Sequence, residues 1–432
     1  MSAPSYPKVL FITPCAFNHI TGGGVTFSSL FSGWPKECLA TITDDTVPVS
    51  MDVCSKYYFL SERERPFIRP FSWVYRQGKE AVSDRENTGP SAKARSSIFN
   101  FAKKIIGEAG IPDRGMLTPE LAQWIKEFQP DVIYTILGTI GYIELVEQIQ
   151  KEFNLPLVVH LMDDGVTDPR KKGICGQYLR QDYNKKFRSL LKSARARIAI
   201  CEDMADAYKE RYGYPFVHFQ HTVDIEKWAR YSKQDVSISS HVRVLYTGSI
   251  YPDAQLQSLK DCCQAVIDIS KGGVDISMEI YTPLKLFGSY AGTFPQGTAL
   301  NIHDTITEDE DFFRTLGEAD ILMLPVNFDN ESVHFIRYSM PTKVPAYLLS
   351  GTPILVYGPE SVAQVRYALK GKWGYVVSQN GVQYIKAGIL ELIRNKELRQ
   401  RLSSTAGRVV RENHDAGIVR RQFQRVIIDS AN

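Results

Sequence analysis

The chain has 432 residues, of which 44% are hydrophobic and 23% are charged. These proportions are ordinary for a folded protein and exclude wholesale disorder, a collagen-like chain and a coiled coil. Its 51 Lys and Arg residues nearly balance 48 Asp and Glu residues, which gives a formal net charge of +3. Because binding to nucleic acid depends largely on neutralising phosphates, no nucleic-acid partner is expected from so small a charge. At roughly 100–200 residues per domain, the length predicts two or three domains.

The cysteines and the amino terminus indicate the compartment. The 7 cysteines are scattered, with no Cys-x-x-Cys pair and no histidine at zinc-ligand spacing. The sequence therefore predicts neither a disulfide framework nor a metal site. The amino-terminal stretch lacks the basic and then apolar pattern of a secretory signal, and no run approaches about 18 apolar residues. We therefore expect a cytoplasmic protein.

The first half of the chain alternates short apolar runs with helical patterns. A strand is predicted over residues 9–13, then the glycine triplet at 22–24 as a loop, then a helix over 25–31. Helices at 122–128, 143–153 and 183–192 alternate with strands at 132–137, 157–162 and 198–200. This alternation predicts an α/β domain with a mostly parallel sheet.

A second α/β series follows a polar linker at residues 232–240. Its predicted strands are 242–246, 276–281, 321–325, 353–357 and 375–377. Its predicted helices are 256–269, 309–317, 342–349, 361–369, 382–394 and 396–412, with one more over 418–428. We assign residues 1–220 to a first domain and 221–415 to a second, with 416–432 as a carboxyl-terminal helix that packs back toward the first.

Residues 76–115 interrupt this pattern and are interpreted as an insertion rich in charge, Gly, Ser and Pro. Within residues 92–107, apolar side chains recur at helical spacing beside two lysines, which is also the pattern of helices that lie on membrane surfaces. A charged helix packed on its own domain is the favoured interpretation. Peripheral contact with the inner face of a membrane is the alternative.

Three further segments carry candidate site residues. Gly23 and Gly24 lie between a predicted strand and helix, where small residues let the backbone approach a ligand and the helix N–H groups bind anions. Their spacing is not Gly-x-Gly-x-x-Gly, so no dinucleotide cofactor is expected. A glycine-rich surface turn explains the triplet equally well.

His160, Asp163 and Asp164 come at the carboxyl end of a predicted strand, where open α/β sheets bind their ligands. A histidine there can donate to a sugar hydroxyl or to a developing charge, and carboxylates can orient an acceptor. The three are the candidate catalytic residues. Hydrogen bonding of the carboxylates to loop N–H groups, and a purely structural histidine, remain open as alternatives.

The segment from Arg337 to Lys343 opens a predicted helix. Lys343 falls in its first turn, where a cation opposes the helix dipole and an anionic ligand would relieve the conflict. A phosphate near Lys343 is therefore the hypothesis. An exposed lysine on an ordinary helix is the alternative.

Read together, residues 22–24, 158–164, 243–249 and 324–359 resemble the retaining GT-B glycosyltransferases, particularly the family 4 group. The last stretch is the most specific, because a helix start with lysine followed by Tyr-x-x-x-Gly-x-Pro-Ile-Leu recurs there. The resemblance covers most of the chain outside the insertion. It implies two Rossmann-like domains that face each other across a cleft. The first would handle the acceptor and the second would bind a nucleotide-sugar donor, without a metal.

The resemblance also implies residue roles. Gly248 and Ser249 would meet the donor diphosphate, Lys343 would add charge, and Gly23 with Gly24 would close from the other domain. His160 would lie near the donor sugar. The family's two glutamates, spaced E-x7-E, correspond here to Tyr338 and Ala346. With Arg337 as a second source of charge, Tyr338 and Ser339 complete the predicted donor-binding set.

We therefore predict a retaining, metal-independent glycosyltransferase that moves a sugar from a nucleotide-diphosphate donor, a UDP-sugar by family habit, to a glycan, lipid-linked or protein acceptor. No further cofactor is expected. Three alternatives remain open: a GT-B-shaped protein that binds a nucleotide or sugar without transfer, a nucleotide-sugar epimerase, and a membrane-surface scaffold.

Overall fold

The structure, a computed structural model, describes residues 6–66, 114–164, 174–238 and 240–432. The chain divides into two compact units, one formed by residues 1–218 and 422–432 and the other by residues 219–421. The sequence places the corresponding boundary after residue 220. The basic segment 92–107, and the predicted insertion apart from its last two residues, lie outside the described residues.

The first unit is built on a parallel sheet of seven strands in the order β3-β2-β1-β4-β5-β6-β7. The strands are β1 (Val9–Ile12), β2 (Leu39–Thr43), β3 (Lys56–Phe59), β4 (Val132–Ile136), β5 (Leu157–Leu161), β6 (Ala196–Ala199) and β7 (Val217–His218). The helices are α1 (Gly22–Phe31), α2 (Pro119–Phe128), α3 (Ile140–Phe153), α4 (Ile174–Ser193) and α5 (Glu202–Tyr212).

The second unit has a parallel sheet of six strands in the order β10-β9-β8-β11-β12-β13. The strands are β8 (Val242–Thr247), β9 (Ile276–Tyr281), β10 (Leu300–His303), β11 (Ile321–Pro325), β12 (Ile354–Tyr357) and β13 (Tyr375–Val377). The first helices are α6 (Ile225–Trp228), α7 (Leu256–Lys271), α8 (Leu284–Phe287), α9 (Asp309–Glu318) and α10 (Asn330–Ile336). The remaining helices are α11 (Val344–Leu349), α12 (Ala363–Gly371), α13 (Val382–Arg394) and α14 (Lys396–Asn413). Helix α15 (Ala416–Ala431) begins in this unit and ends in the first.

Local sequence explains several helix boundaries. Helix α2 begins after Thr118, whose hydroxyl accepts the Leu121 N–H, and Pro119 occupies its first position, where no N–H is needed. Asp329 caps α10 and Asn395 caps α14 through side chains that accept the main-chain N–H group three residues on. Such caps satisfy the amides that an isolated helix leaves unpaired.

Both cores follow from strands that are apolar on both faces. All four residues of β1 are buried, as a parallel strand covered by helices on each side requires. Phe11 of β1 is the centre of an aromatic cluster with Phe17, Phe27, Phe31 and Tyr134. Phe423 of α15 packs edge-on against Phe31 and Tyr134, so the last turns of the chain contribute to this core.

The predicted α/β class with parallel sheets is confirmed. The prediction of a glycine loop is wrong, because Gly22–Gly24 form the first turn of α1, capped by the Thr21 hydroxyl. Strands β2, β3, β7 and β10 were not predicted. Of these, β3, β7 and β10 are short strands at the edges of the sheets, with partly or fully exposed residues. Across the described ranges, no helix is both long and apolar enough to span a membrane.

Candidate functional site

The order of the strands locates a crevice in the second sheet. Strands β8 and β11 are neighbours, and the chain proceeds outward from them in opposite directions. At such a switch point the connections after the two strands diverge, so a crevice opens at their carboxyl ends, where open α/β sheets bind ligands. Thr247 ends β8, and Gly248 follows it with φ at 117°. That backbone conformation is accessible to glycine and strained for other residues.

Lys343 reaches this strand end from a distant part of the chain. Its Nζ donates a hydrogen bond of 2.6 Å to the Thr247 carbonyl oxygen. The same Nζ lies 3.8 Å from the centroid of the Tyr246 ring, a cation–π distance. The sequence had placed Lys343 in the first turn of a helix over 342–349, but α11 begins two residues later, at Val344, and Lys343 precedes it as the N-cap residue. Because α11 has only 6 residues, its dipole contributes little at this position.

Burial lowers the pKa of the Lys343 amine to about 7. The side chain as a whole is only half-buried, so solvent or a ligand can still reach it. The described contacts give this amine no carboxylate partner, so its positive charge is available to an anion that binds beside it. A bound anion would in turn favour the protonated amine.

The peptides on either side of Gly248 are held firmly. The Thr247 N–H donates to the hydroxyl of Tyr347, which is fully buried on α11. The Ser249 carbonyl accepts hydrogen bonds from the Tyr246 hydroxyl at 3.0 Å and from the Gln255 side-chain amide at 2.5 Å. The structure therefore brings together three of the predicted donor-binding residues, Gly248, Ser249 and Lys343.

Sequence reasoning missed the polar groups at the neighbouring strand ends. The Gly248 N–H donates to the Tyr281 carbonyl, and the Tyr281 ring stacks on His303 with centroids 4.6 Å apart. His303 contacts Glu279 through Nε2 at 2.6 Å, and Asn301 donates to the same carboxylate. Burial raises the pKa of Glu279, but these hydrogen bonds outweigh it and the pKa is lowered. The alternation of polar residues along β9 and β10 could have indicated these groups. It was overlooked because β10 was not predicted as a strand.

Arg337, Tyr338 and Ser339 lie between α10 and Lys343. Arg337 is exposed, with its guanidinium 5.9 Å from the centroid of the Tyr338 ring. Its carbonyl accepts the Ala363 N–H, and the Ser339 N–H donates to Ile336. Tyr338 and Ser339 are half-buried. The donor-binding role of these three residues stays a prediction.

The glycine triplet of the first unit packs against its own loop. A Cβ on Gly24 would lie 2.2 Å from the Asn18 side-chain amide, and one on Gly23 would lie 2.9 Å from the Cys15 sulfur. Asn18 is buried and accepts the N–H groups of Ile20 and Thr21. The small size of Gly24 is thus needed to keep Asn18 in place. Binding of an anion by Gly23 and Gly24 stays a prediction.

His160 lies inside the first unit. It is completely buried on β5, where its Nδ1 is 2.5 Å from the Tyr134 hydroxyl. Phe27 of α1 and Phe423 of α15 flank the imidazole, with ring centroids 6.2 Å and 6.4 Å away. The histidine is therefore part of the aromatic core of its unit. Its catalytic role stays a prediction.

The two aspartates that follow β5 have different surroundings. Asp163 is exposed, whereas Asp164 is buried. Both oxygens of Asp164 accept from the Arg211 guanidinium, at 3.0 Å and 3.2 Å, and the Tyr208 hydroxyl donates to one of them at 2.6 Å. This bidentate pair occupies the Asp164 carboxylate. Within the described ranges, no three His, Cys, Asp or Glu side chains are grouped so as to hold a metal ion.

Solved structures resemble this chain over nearly its whole length. Sucrose-phosphate synthase from Thermosynechococcus elongatus matches 98% of this chain and 98% of its own, with 10% identity and a TM-score of 0.64. WaaG, a glycosyltransferase of lipopolysaccharide biosynthesis, matches 97% and 99%, with 10% identity and a TM-score of 0.60. An E. coli trehalose-6-phosphate protein bound with UDP-2-fluoro glucose matches 98% and 98%, with 10% identity and a TM-score of 0.59.

These neighbours are built from two Rossmann-like units with parallel sheets, as this chain is. The chain has the GT-B fold. No known sequence family and no curated protein matches it. At 10% identity the likeness to the GT-B neighbours shows the fold alone.

Proposed function

We propose that the protein is a glycosyltransferase that takes its sugar from a nucleoside diphosphate donor, with a UDP-sugar favoured. The acceptor is a glycan, a lipid-linked sugar or a protein. The GT-B fold supports the class, and the solved neighbours include a glycosyltransferase and a protein bound with UDP-2-fluoro glucose. Retention at the anomeric carbon and independence from metal rest on the resemblance of the sequence to the family 4 group.

The observation that carries the proposal is the Lys343 amine beside Gly248 at the switch point of the second sheet. A donor diphosphate placed there would receive the charge of Lys343 and could approach the backbone closely at Gly248, which has no side chain of its own. When the bond between the sugar and the phosphate breaks, negative charge develops on the leaving diphosphate. A fixed cation at that position stabilises the charge more in the transition state than in the ground state.

For the first unit we propose that Asp163, rather than Asp164, contacts the acceptor. Asp163 is exposed, whereas the Asp164 carboxylate is bound by Arg211 and Tyr208. His160 would act through the shape and polarity of the strand end, because it lies within the aromatic core.

One observation favours a second candidate, a protein that binds the nucleotide sugar without transferring it. Ala346 stands where the related enzymes carry the second glutamate, and its side chain is buried in the core of the second unit. A buried alanine offers no hydrogen bond to a ribose. Donor binding would then depend more heavily on Lys343 and on the ends of β8, β9 and β10.

The test is incubation of the full-length protein with a panel of nucleotide sugars in EDTA, without acceptor and then with glycan acceptors. Release of nucleoside diphosphate, thermal shift and the anomeric NMR signal of the product are measured together. We expect release from one donor, and a loss of at least tenfold in Lys343→Met with partial retention in Lys343→Arg. Thermal shift without release would support the binding protein. A donor inverted in the absence of acceptor would support an epimerase, and unchanged turnover in Lys343→Met would contradict the assigned role.

A further inference from the structure

Two histidines outside the set of proposed donor-binding residues are buried in the second unit. His221 is 6% exposed and His414 is 1% exposed. His221 follows the point, after residue 218, at which the chain enters this unit. His414 lies just before α15, along which the chain returns to the first unit after residue 421.

The main chain holds these two crossing segments side by side. The Val223 N–H donates to the His414 carbonyl at 2.9 Å, and the Ala416 N–H donates to the Val223 carbonyl at 3.0 Å. His414 adds a side-chain bond, because its Nδ1 lies 2.7 Å from the His221 carbonyl oxygen. The backbone of His221 is therefore fixed from a neighbouring segment.

The hydrogen bonds also define the state of the imidazoles. Burial lowers the pKa of both to about 4, so both are neutral at pH 7. Nδ1 of His414 faces a carbonyl and must carry the proton, which leaves Nε2 to accept from the Tyr367 hydroxyl at 2.8 Å. The Asn413 side-chain amide donates to the same hydroxyl at 3.0 Å. The Asn413 amide, the Tyr367 hydroxyl and the His414 imidazole therefore have mutually consistent donor and acceptor roles.

This series of hydrogen bonds ends near the proposed donor site. Nε2 of His221 lies 2.9 Å from the Met340 carbonyl oxygen, to which it donates. Met340 is buried and precedes Lys343 by three residues. The intervening backbone makes a turn, in which the Val344 N–H donates to the Pro341 carbonyl. Fixing the Met340 peptide therefore fixes the start of the short turn that carries Lys343.

We propose that His221 is a positioning residue for the donor site: its bond to the Met340 carbonyl holds the Lys343 amine at the Thr247 carbonyl beside Gly248, and His414 holds His221. The role in donor binding rests on the proposed function. The placement of the Lys343 amine by His221 does not depend on the proposed function, since it concerns the geometry of the protein alone.

The experiment compares three variants of the full-length protein with the wild type. His221→Leu removes the donor to Met340. His221→Gln retains it, because the glutamine amide nitrogen occupies nearly the place of Nε2. Thr352→Val is the matched control: it removes one buried donor, to the Leu316 carbonyl, at the opposite end of α11 from Lys343.

Two readouts are used. The first is the rate of Lys343 acetylation by acetic anhydride, followed by peptide mass spectrometry between pH 6 and 9. The second is the dissociation constant for UDP, GDP and ADP by calorimetry. We expect His221→Leu to raise the acetylation rate of Lys343 several-fold and to weaken binding of the preferred nucleotide about tenfold, as small displacements of binding groups do. His221→Gln and Thr352→Val should stay near wild type in both.

Equal acetylation rates in His221→Leu, Thr352→Val and the wild type would overturn the proposal, whatever the nucleotide affinity. If no nucleotide binds even the wild type, the proposed function fails, while the acetylation rates still decide the placement of the amine. If His221→Leu does not fold, His221→Asn serves instead, because its amide is too short to reach Met340. Rescue by glutamine but not by asparagine is the result expected of a positioning bond.

Discussion

Gly248 faces the Lys343 amine so closely that a Cβ added to the glycine would lie 3.2 Å from Nζ. The contact joins two segments almost a hundred residues apart, one ending a strand and the other opening a helix. It couples a backbone that only glycine adopts easily, with φ at 117°, to the cation of the proposed donor site.

Gly248→Ala should therefore have two effects. The left-handed backbone costs about 1–3 kcal/mol in the free energy of unfolding, and the methyl group pushes the Lys343 amine away from its place. Gly273→Ala is the matched control, because Gly273 has φ at 90° and no atom within 4 Å of an added Cβ. Denaturant unfolding should show similar losses in both variants. Only Gly248→Ala should also weaken UDP binding, and equal affinities would contradict the contact's role.

Nucleotide binding should take up a proton at pH 8. The Lys343 pKa of about 7 leaves the free amine mostly neutral at that pH, and a bound diphosphate favours the ammonium. Calorimetry in buffers of different ionisation enthalpy should show uptake of up to about one proton at pH 8 and almost none at pH 6. Lys343→Arg, which is charged throughout, is the control. Equal uptake by this variant and the wild type would exclude Lys343 as the group that titrates.

Substitution of each of the two aspartates after β5 should distinguish an effect on stability from an effect on activity. Asp164→Asn breaks a buried bidentate pair with Arg211 and should lower the free energy of unfolding by about 3 kcal/mol. Asp163→Asn, at an exposed position, should change it by less than about 0.5 kcal/mol while reducing turnover with the productive donor and acceptor. Thermal unfolding and product formation measure the two effects. A stable Asp164→Asn variant would refute the structural assignment.

The buried histidine pair should make the second unit sensitive to acid. In the folded state the pKa of each imidazole is about 4, below the ordinary value of 6.5. Between these values the unfolded chain binds more protons, so stability is complete above about pH 6.5 and falls as the pH is lowered toward 4. Each residue contributes up to about 3 kcal/mol to this loss.

Urea unfolding at intervals between pH 4 and 7 measures this dependence. His221→Gln removes one titrating group and keeps its hydrogen bond, so the loss on acidification should become smaller. Thr352→Val, which removes a buried hydrogen bond but no titrating group, should leave the dependence as in the wild type. An unaltered pH dependence in His221→Gln would show that the acid sensitivity arises elsewhere.

Much of the fold could be predicted because parallel strands and amphipathic helices have local patterns. Residues 9–12, 132–136 and 321–325 are apolar runs, and the strands were predicted there nearly to the residue. Strand β10 escaped because its residues are half-exposed and its partner β9 is its only neighbour in the sheet. The glycine triplet was misassigned because a run of glycines predicts a loop unless the packing of Asn18 is known.

The sequence by itself determined the α/β class and the two α/β series, since each depends on neighbours along the chain. Tertiary structure decided the rest. It placed the Lys343 amine in a hydrogen bond with the Thr247 carbonyl and buried His160 among aromatic rings. It also paired Asp164 with Arg211 and left Asp163 exposed. These outcomes depend on which residues, distant in sequence, approach within a few ångströms, and only the packed chain brings them together.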